Sequence, residues 1–350
     1  ALSNCLSCKG CTPECPSNVN LALLKAELLY ATHRKYGLGL RERILSRPDL
    51  LGELGCAFPR LTNGMLEFGP VLALMEQTLG LSAKRTLPKY ARERFDRWFD
   101  TRAEGSLDFA RDDEKRVILW DDTFVRYNEP HIGKAAVKVL EALGYQTSLA
   151  QERKCCGRPA FSQGNLDLAT AFADHNVRLL SSLGYSTTPI LFLEPSCYSM
   201  FVDDYRELKI PNAEEVAKRC FLFEQFVNEA IDGEPSSVFR ERREFVAIHA
   251  HCHAKSLVRT RFMAQLVEKI PGRRAKVLDT GCCGMAGAFG MTERKRELSL
   301  QVAAPLLEKI YAEPADATIV ASGTSCRHQI SELSNRRPKH MAEVLADALA

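Results

Sequence analysis

The sequence predicts an α/β protein, with two repeated βαβ-type modules preceded by a helical N-terminal part. Three observations predict it. Two adjacent cysteines followed by glycine occur twice, as Cys155-Cys156-Gly157 and as Cys282-Cys283-Gly284. A lone cysteine follows each doublet at nearly the same interval, Cys197 standing 41 positions after Cys156 and Cys326 standing 43 after Cys283. Around both sets, short apolar runs alternate with long helical patterns, which is the order of parallel βαβ units. Self-similarity on this scale is the mark of an internal duplication. Upstream, Cys252 lies 30 positions before Cys282, and the matching place 33 positions before Cys155 is held by Asp122.

Length and composition set the frame. At 350 residues the chain suits two or three domains. Its 45% hydrophobic and 26% charged residues are those of a globular protein, and 47 basic against 44 acidic residues imply no nucleic-acid partner. No secretory apolar region and no apolar run near 18 residues is present, so the sequence predicts no spanning helix. Thirteen cysteines are too sparse for a disulfide-stapled mini-domain and too clustered for scattered core thiols. Thiols meet metal in preference to each other in a reducing cytosol, the compartment this usage suits.

Taken in order, the chain begins with Cys5-x2-Cys8-x2-Cys11-x3-Cys15-Pro16. This is the bacterial ferredoxin run, in which three close cysteines hold one [4Fe-4S] cluster and the fourth reaches another. One run is half of a two-cluster domain, so the sister half is expected before Ala1 or on another subunit, and the chain reads as part of something longer. Asn20 caps a helix with Leu21, Leu24 and Leu28 on one face, and Gly37 can end it. A helix directly after the run points to the α-helical kind of ferredoxin domain, over residues 1–37. Residues 38–114 form a helical connector, with a charged helix expected over Pro88–Phe99 whose Phe95, Trp98 and Phe99 are packing anchors. Cys56 and Cys220 read as structural thiols, Cys56 as a buried one.

The first module is expected over 115–233. Its strands are Val117–Trp120, Gln146–Leu149 and Ile190–Leu193, and its helices run from Gly133 to Leu143 and from Leu166 to Leu183. Residues 232–244 read as a linker. The second module, 234–350, repeats the order with strands Phe245–Ile248, Lys276–Leu278 and Ala317–Ala321 and a helix from Glu293 to Tyr311. Every metal-type cysteine of the modules therefore falls just past the carboxyl end of a strand, where open α/β sheets bind ligands.

Neighbouring residues on a strand point to opposite faces, so adjacent cysteines share a metal only if the backbone turns sharply. Gly157 and Gly284 supply that turn and would let a bulky inorganic core approach the main chain. Cys252, Cys282, Cys283 and Cys326 bring four soft thiolates from three loops, a set for an iron–sulfur cluster or Zn²⁺. Cys155, Cys156 and Cys197 with Asp122 bring three thiolates and a carboxylate. That set suits Zn²⁺ or a cluster with one oxygen ligand, and an empty copy kept for packing stands beside both. Alternation at the strand end would put His249, His251 and His253 on one side, as a zinc site needs. His251 and His253 are read instead as hydrogen-bond donors to cluster sulfur. Arg158, Lys255 and Arg327 adjoin the cysteines and could offset the charge of an anionic cluster.

The ferredoxin run, Asp122-Thr-Phe, Cys155-Cys-Gly-Arg-Pro and Glu194-Pro-Ser-Cys together resemble one known family. So do His251-Cys-His-x-Lys, Asp279-x-Gly-Cys-Cys-Gly-Met-Ala-Gly-x-Phe-Gly and Ser325-Cys-Arg-x-Gln-Ile. The chain resembles the C-terminal iron–sulfur half of FAD-linked oxidases of the D-lactate and glycolate dehydrogenase type, with a duplicated cysteine-rich CCG domain. The iron–sulfur subunits of glycolate oxidase and anaerobic glycerol-3-phosphate dehydrogenase are similar, as is the B subunit of heterodisulfide reductase. The resemblance implies a relay. FAD in another domain or subunit oxidises a 2-hydroxy acid, and electrons pass through clusters to an acceptor such as a quinone or cytochrome. It implies a cytoplasmic protein with at most peripheral contact at the inner face of the membrane. No residue reads as a general base for the acid, so no catalytic residue is assigned. Asp122 and Glu194 stand where heterodisulfide reductase uses cysteines, which sets the first module apart from disulfide chemistry. Disulfide or quinone reduction at the second module, and a zinc scaffold, are the rival expectations.

Overall fold

A computed structural model of the protein describes residues 2–17, 19–102, 115–182, 187–231 and 238–350. Strands β1 (Arg116–Trp120), β2 (Gln146–Leu149), β3 (Ile190–Phe192) and β4 (Cys220–Leu222) form an all-parallel sheet in the order β2-β1-β3-β4. Strands β5 (Glu244–Ile248), β6 (Arg273–Val277) and β7 (Thr318–Val320) form a second parallel sheet, β6-β5-β7. The duplication is therefore topological. In each sheet the first strand lies between the second and third, with Leu119 opposite Leu149 and Leu191, and Ala247 opposite Lys276 and Ile319. β4 extends the first sheet alone.

Strands β1 and β3 read as unbroken apolar runs because helices cover both faces of a parallel sheet. Val117 to Trp120 and Ile190 to Phe192 are all buried. Trp120 and Phe192 pack around Phe201, with ring centroids 4.8 and 4.9 Å from it. The modules share this core. The helix Met341–Ala346 at the end of the chain packs on the helix Pro130–Ala142 of the first module. The helix Phe223–Ala230 likewise packs on Arg261–Glu268 of the second.

Several local expectations need correction. Asn20 does cap the helix Leu21–Tyr36, its Oδ1 accepting from Leu23 N at 3.1 Å, and Gly37 ends it at φ 86°. The buried face, however, belongs to Ala22 and Ala26, while Leu24 and Leu28 are exposed. The helix touches the body through these small side chains and through Leu23 and Tyr30, which pack against the core. Over Pro88–Phe99 the helix is confined to Phe95–Asp100. Before it the chain is tied down by Tyr90 N donating to Asn63 Oδ1 at 2.8 Å and Ala91 N to Tyr127 O at 2.8 Å. Phe95 and Phe99 are buried and Trp98 half-buried, so the anchors hold although the helix is shorter. Cys56 is half-buried, not buried, and its thiol donates to Tyr127 O at 3.3 Å. Cys220 is buried on β4.

The expected linker falls partly at 232–237, outside the described residues, as does the end of the connector at 103–114. Residues 238–243 are no free linker: Phe239 is buried and Arg240 N donates to Ala348 O at 2.9 Å. The strand of the second doublet ends at Val277, one residue short of Leu278.

Phe95 presses on Gly133, where any β-carbon would collide with its ring. Phe95→Ala leaves a cavity against a residue with no side chain to fill it. Urea unfolding should show a loss of about 3–5 kcal/mol.

Candidate metal centre

Parallel pairing places the exits of β5, β6 and β7 on one rim, and the sulfurs meet there. Among the four thiols, Cys252 interacts with Cys282, Cys282 with Cys283 and Cys283 with Cys326, and Cys326 also feels Cys252 and Cys282, so the four form one group. Cys283 and Cys326 are buried, Cys252 and Cys282 half-buried. Contact with Cys282 and burial both push the Cys252 thiol up. Among the described residues, no three His, Cys, Asp or Glu side chains are gathered as a single ion would need.

The turn after each doublet needs glycine for its backbone conformation, as expected, and for a close approach that differs from the one expected. Gly157 and Gly284 have φ of 87° and 86°, a region that costs other residues. Their missing side chains face the following helix and not the sulfur pocket. A β-carbon on Gly284 would collide with Ser299 O, and one on Gly157 would lie 3.2 Å from Ala169 O. Each glycine lets its doublet sit close on a helix backbone.

The histidines are divided among three tasks. A helix begins at Cys252, so strand alternation does not continue, although the His251 and His253 rings still meet edge to face with centroids 5.1 Å apart. His249 Nδ1 pairs with Thr280 Oγ1 at 2.8 Å. His251 caps the helix, its Nδ1 accepting from His253 N at 3.1 Å, and the same nitrogen lies 3.9 Å from Cys252 Sγ. With Nδ1 accepting, the neutral ring carries its proton on Nε2, which is 4.0 Å from Glu194 Oε1. Burial pulls His251 down, but Cys252 and Glu194 outweigh it and the group is raised. His253 instead pairs through Nε2 with Ser7 O of the N-terminal cysteine run, at 3.0 Å. Burial, with Arg158 nearby, holds His253 well below the usual imidazole range.

In the first module, Cys155, Cys156 and Cys197 are buried together, with Cys156 and Cys197 sulfurs 3.0 Å apart. Asp122 is also there, but as a helix cap. Its Oδ1 accepts from Phe124 N at 2.8 Å and Val125 N at 3.2 Å, while Oδ2 is buried without a partner. Burial first, then the charge of Glu194, raises its carboxyl to about 7. Position by position, Asp122 is the counterpart of the capping His251, and Thr123, whose side chain interacts with Cys155, is the counterpart of Cys252. Cys197 and Cys326 match, each third in its helix, so Glu194 corresponds to Gly323.

Glu194 joins the two modules, which the sequence did not disclose. Its Oε1 accepts from Ser196 N at 3.1 Å, and its Oε2 crosses to accept from Thr324 N at 2.8 Å. Gly323 makes room, since a β-carbon there would collide with the His251 ring. The basic residues have partners of their own. Lys255 donates to Thr280 O and Gly281 O, Arg158 to Asp204 and Ser199, and Arg327 to Glu129. They brace the loops.

The N-terminal run lies beside the second module. Cys5 Sγ accepts from Ser7 N at 3.4 Å, Cys8 feels the charges of Cys5 and Cys252, and Cys11 is exposed. Cys15 is half-buried and closes the short helix Cys11–Glu14, its N donating to Cys11 O at 3.0 Å.

Comparison with known proteins agrees with this doubling. The cysteine-rich CCG domain matches at residues 123–202 and again at 246–331. The C subunit of the anaerobic glycerol-3-phosphate dehydrogenase of Escherichia coli is 30% identical over 338 residues, 96% of this chain and 83% of that one. The D-2-hydroxyglutarate dehydrogenase of Pseudomonas putida is 26% identical over 99% of this chain but only 34% of its own. Lactate utilization protein A 1 of Bacillus cereus is 26% identical over 66% of this chain and 98% of its own.

In the reduced, metal-free chain, iodoacetamide should reach exposed Cys11 first. Cys283 and Cys326 should react at least about tenfold more slowly, because they need local opening. Peptide mass spectrometry over a time course reads the order.

Proposed function

Because the chain belongs to the doubled cysteine-rich CCG family that includes the C subunit of anaerobic glycerol-3-phosphate dehydrogenase, we propose that it is the iron–sulfur electron-transfer part of an FAD-linked oxidoreductase. The observation that carries this reading is the group of four thiols at the rim of β5, β6 and β7, with Cys8 of the ferredoxin run beside it. Four soft thiolates suit an iron–sulfur cluster, and the ferredoxin run beside them would give that cluster an electron partner, which a zinc ion would not use. On this reading Cys252, Cys282, Cys283 and Cys326 hold one cluster. Cys5, Cys8 and Cys11 hold a [4Fe-4S] cluster, and Cys15 reaches a second one completed elsewhere. Such groups, when bound, take up and release one electron at a time.

The substrates in the relatives' names narrow the chemistry. Glycerol-3-phosphate, D-2-hydroxyglutarate and lactate each carry a secondary alcohol, whose oxidation releases two electrons that a flavin can divide into single steps. The chain matches about a third of one relative and nearly all of another, so the matched part occurs both within a longer polypeptide and as a chain of its own. We assign oxidation of the alcohol to a flavin domain or subunit and transport of the electrons to this chain. The acceptor is a quinone, a cytochrome or a similar carrier. Among the described residues no helix is long and apolar enough to cross a membrane, and we propose at most a peripheral contact at its inner face. The division into residues 1–37, 38–114, 115–233 and 234–350 is part of the same proposal.

The chain's own residues serve this by placement. His251 orders the first turn that presents Cys252, Lys255 ties down the loop of Cys282, and Gly284 seats the doublet on its helix. In the first module Thr123 and Asp122 stand where Cys252 and His251 stand in the second, which leaves three thiols. We read that pocket as a support for the seam, without disulfide chemistry of its own.

Anaerobic reconstitution with iron and sulfide tests the proposal. The loaded protein should be brown and should hold acid-labile sulfide. Cys282→Ser should lose about four irons per chain and one Mössbauer component, leaving the N-terminal component in place. Colourless protein that binds zinc alone would overturn it.

A further inference from the structure

The loop that carries Cys5 to Cys11 is held from both sides of the seam between the modules. From the second module, His253 meets Ser7 O at 3.0 Å and Lys295 donates to Asn4 Oδ1 at 2.5 Å. From the first, Asp203 and Asp204 take the Lys9 ammonium at 2.6 and 2.8 Å. Lys9 lies between Cys8 and Cys11 with its backbone at φ 60°, and its side chain reaches Asp203 and Asp204. The side chain is only 2% exposed, and that of Asp204 is fully buried. The same carboxylate takes Arg158, next to the first doublet and its glycine, and Ser199 Oγ at 3.2 Å.

Two features make this group unusual. Asp203 and Asp204 end a π-helical turn, Met200–Asp204, that follows the helix bearing Cys197. Such wide turns are uncommon and recur at functional sites. A buried ion pair, moreover, adds little net stability but fixes geometry, since removing one partner strands the other charge. A surface lysine would have sufficed if the loop needed only to be soluble.

We propose that Lys9 is a positioning residue. Its ammonium, enclosed by Asp203 and Asp204 of the first module, fixes the N-terminal cysteine loop against Cys252 of the second. It thereby sets the separation across which an electron lost by one site is gained by the other, with no bond made or broken. The first module, poorer in thiols, is the dock for that loop. This rests on the iron–sulfur reading above.

The test uses the full chain as wild type, Lys9→Met, Lys9→Arg and the charge-balanced pair Lys9→Met with Asp203→Asn. In the metal-free chain, hydrogen exchange at the amides of the Cys5–Cys15 loop should quicken at least about tenfold in Lys9→Met and in the pair. It should return toward wild type in Lys9→Arg. After reconstitution and reduction, the magnetic interaction between the N-terminal and second-module centres should broaden the wild-type EPR spectrum. That broadening should vanish in both methionine variants at unchanged iron content and return with arginine. Should Lys9→Met fail to fold, the charge-balanced pair decides. Unchanged exchange and unchanged broadening in the pair would overturn the proposal. If no iron loads in any variant, the iron–sulfur reading fails, and the exchange rates alone then uphold or overturn the docking role of Lys9.

Discussion

Strands that pair in parallel all end on the same edge of their sheet, and the cysteine arrangement depends on that constraint. In each module the chain leaves a central strand, returns beside it on one flank and then on the other. Three exits are thus collected at one place from segments tens of residues apart. Antiparallel strands would have sent alternate exits to opposite edges and scattered the sulfurs. The apolar core behind the rim, with Trp120, Phe192 and Phe201 under the first sheet, is what keeps those edges in register.

Electrostatics then organises the space between the modules. Glu194 lies under both cysteine groups and satisfies one backbone N–H in each module, at the first turns of the helices that carry Cys197 and Cys326. A carboxylate at a helix N-terminus meets both orphan donors and the positive end of the helix dipole. Arg327 pairs across the same seam with Glu129, and Lys9 with Asp203 and Asp204. Arg327 and Lys9 thus meet carboxylates, while Lys255 beside the second doublet meets only carbonyl oxygens and braces its loop.

Much of the fold could be read in advance because its signals are local and repeated. Doublet, glycine and lone cysteine, each behind a short apolar run, suffice to place the strand exits. What could not be read depends on partners distant in sequence. Leu24 and Leu28 follow the helical period as a core face would, yet the residues that helix buries are Ala22 and Ala26, with Leu23 and Tyr30 packed beside them. The resemblance of Asp122 to the Cys252 position is one residue out, because which residue caps a helix shows only once its first turn is seen. Lys9 is an unmarked position within the ferredoxin run, and the Glu194-Pro-Ser-Cys motif does not say that its carboxylate crosses to the other module. Their meaning comes from atoms some 130 to 195 positions away.

Glu194 also bears on how the molecule can move. Two modules joined by a tether alone would open and close like the covers of a book. Here a buried carboxylate bridges the covers at the spine, and a terminal helix from one is bedded in the other. Opening would strip Thr324 N of its acceptor and expose the packed face of Met341, Ala342, Val344 and Leu345, so the pair is built to travel as one rigid piece.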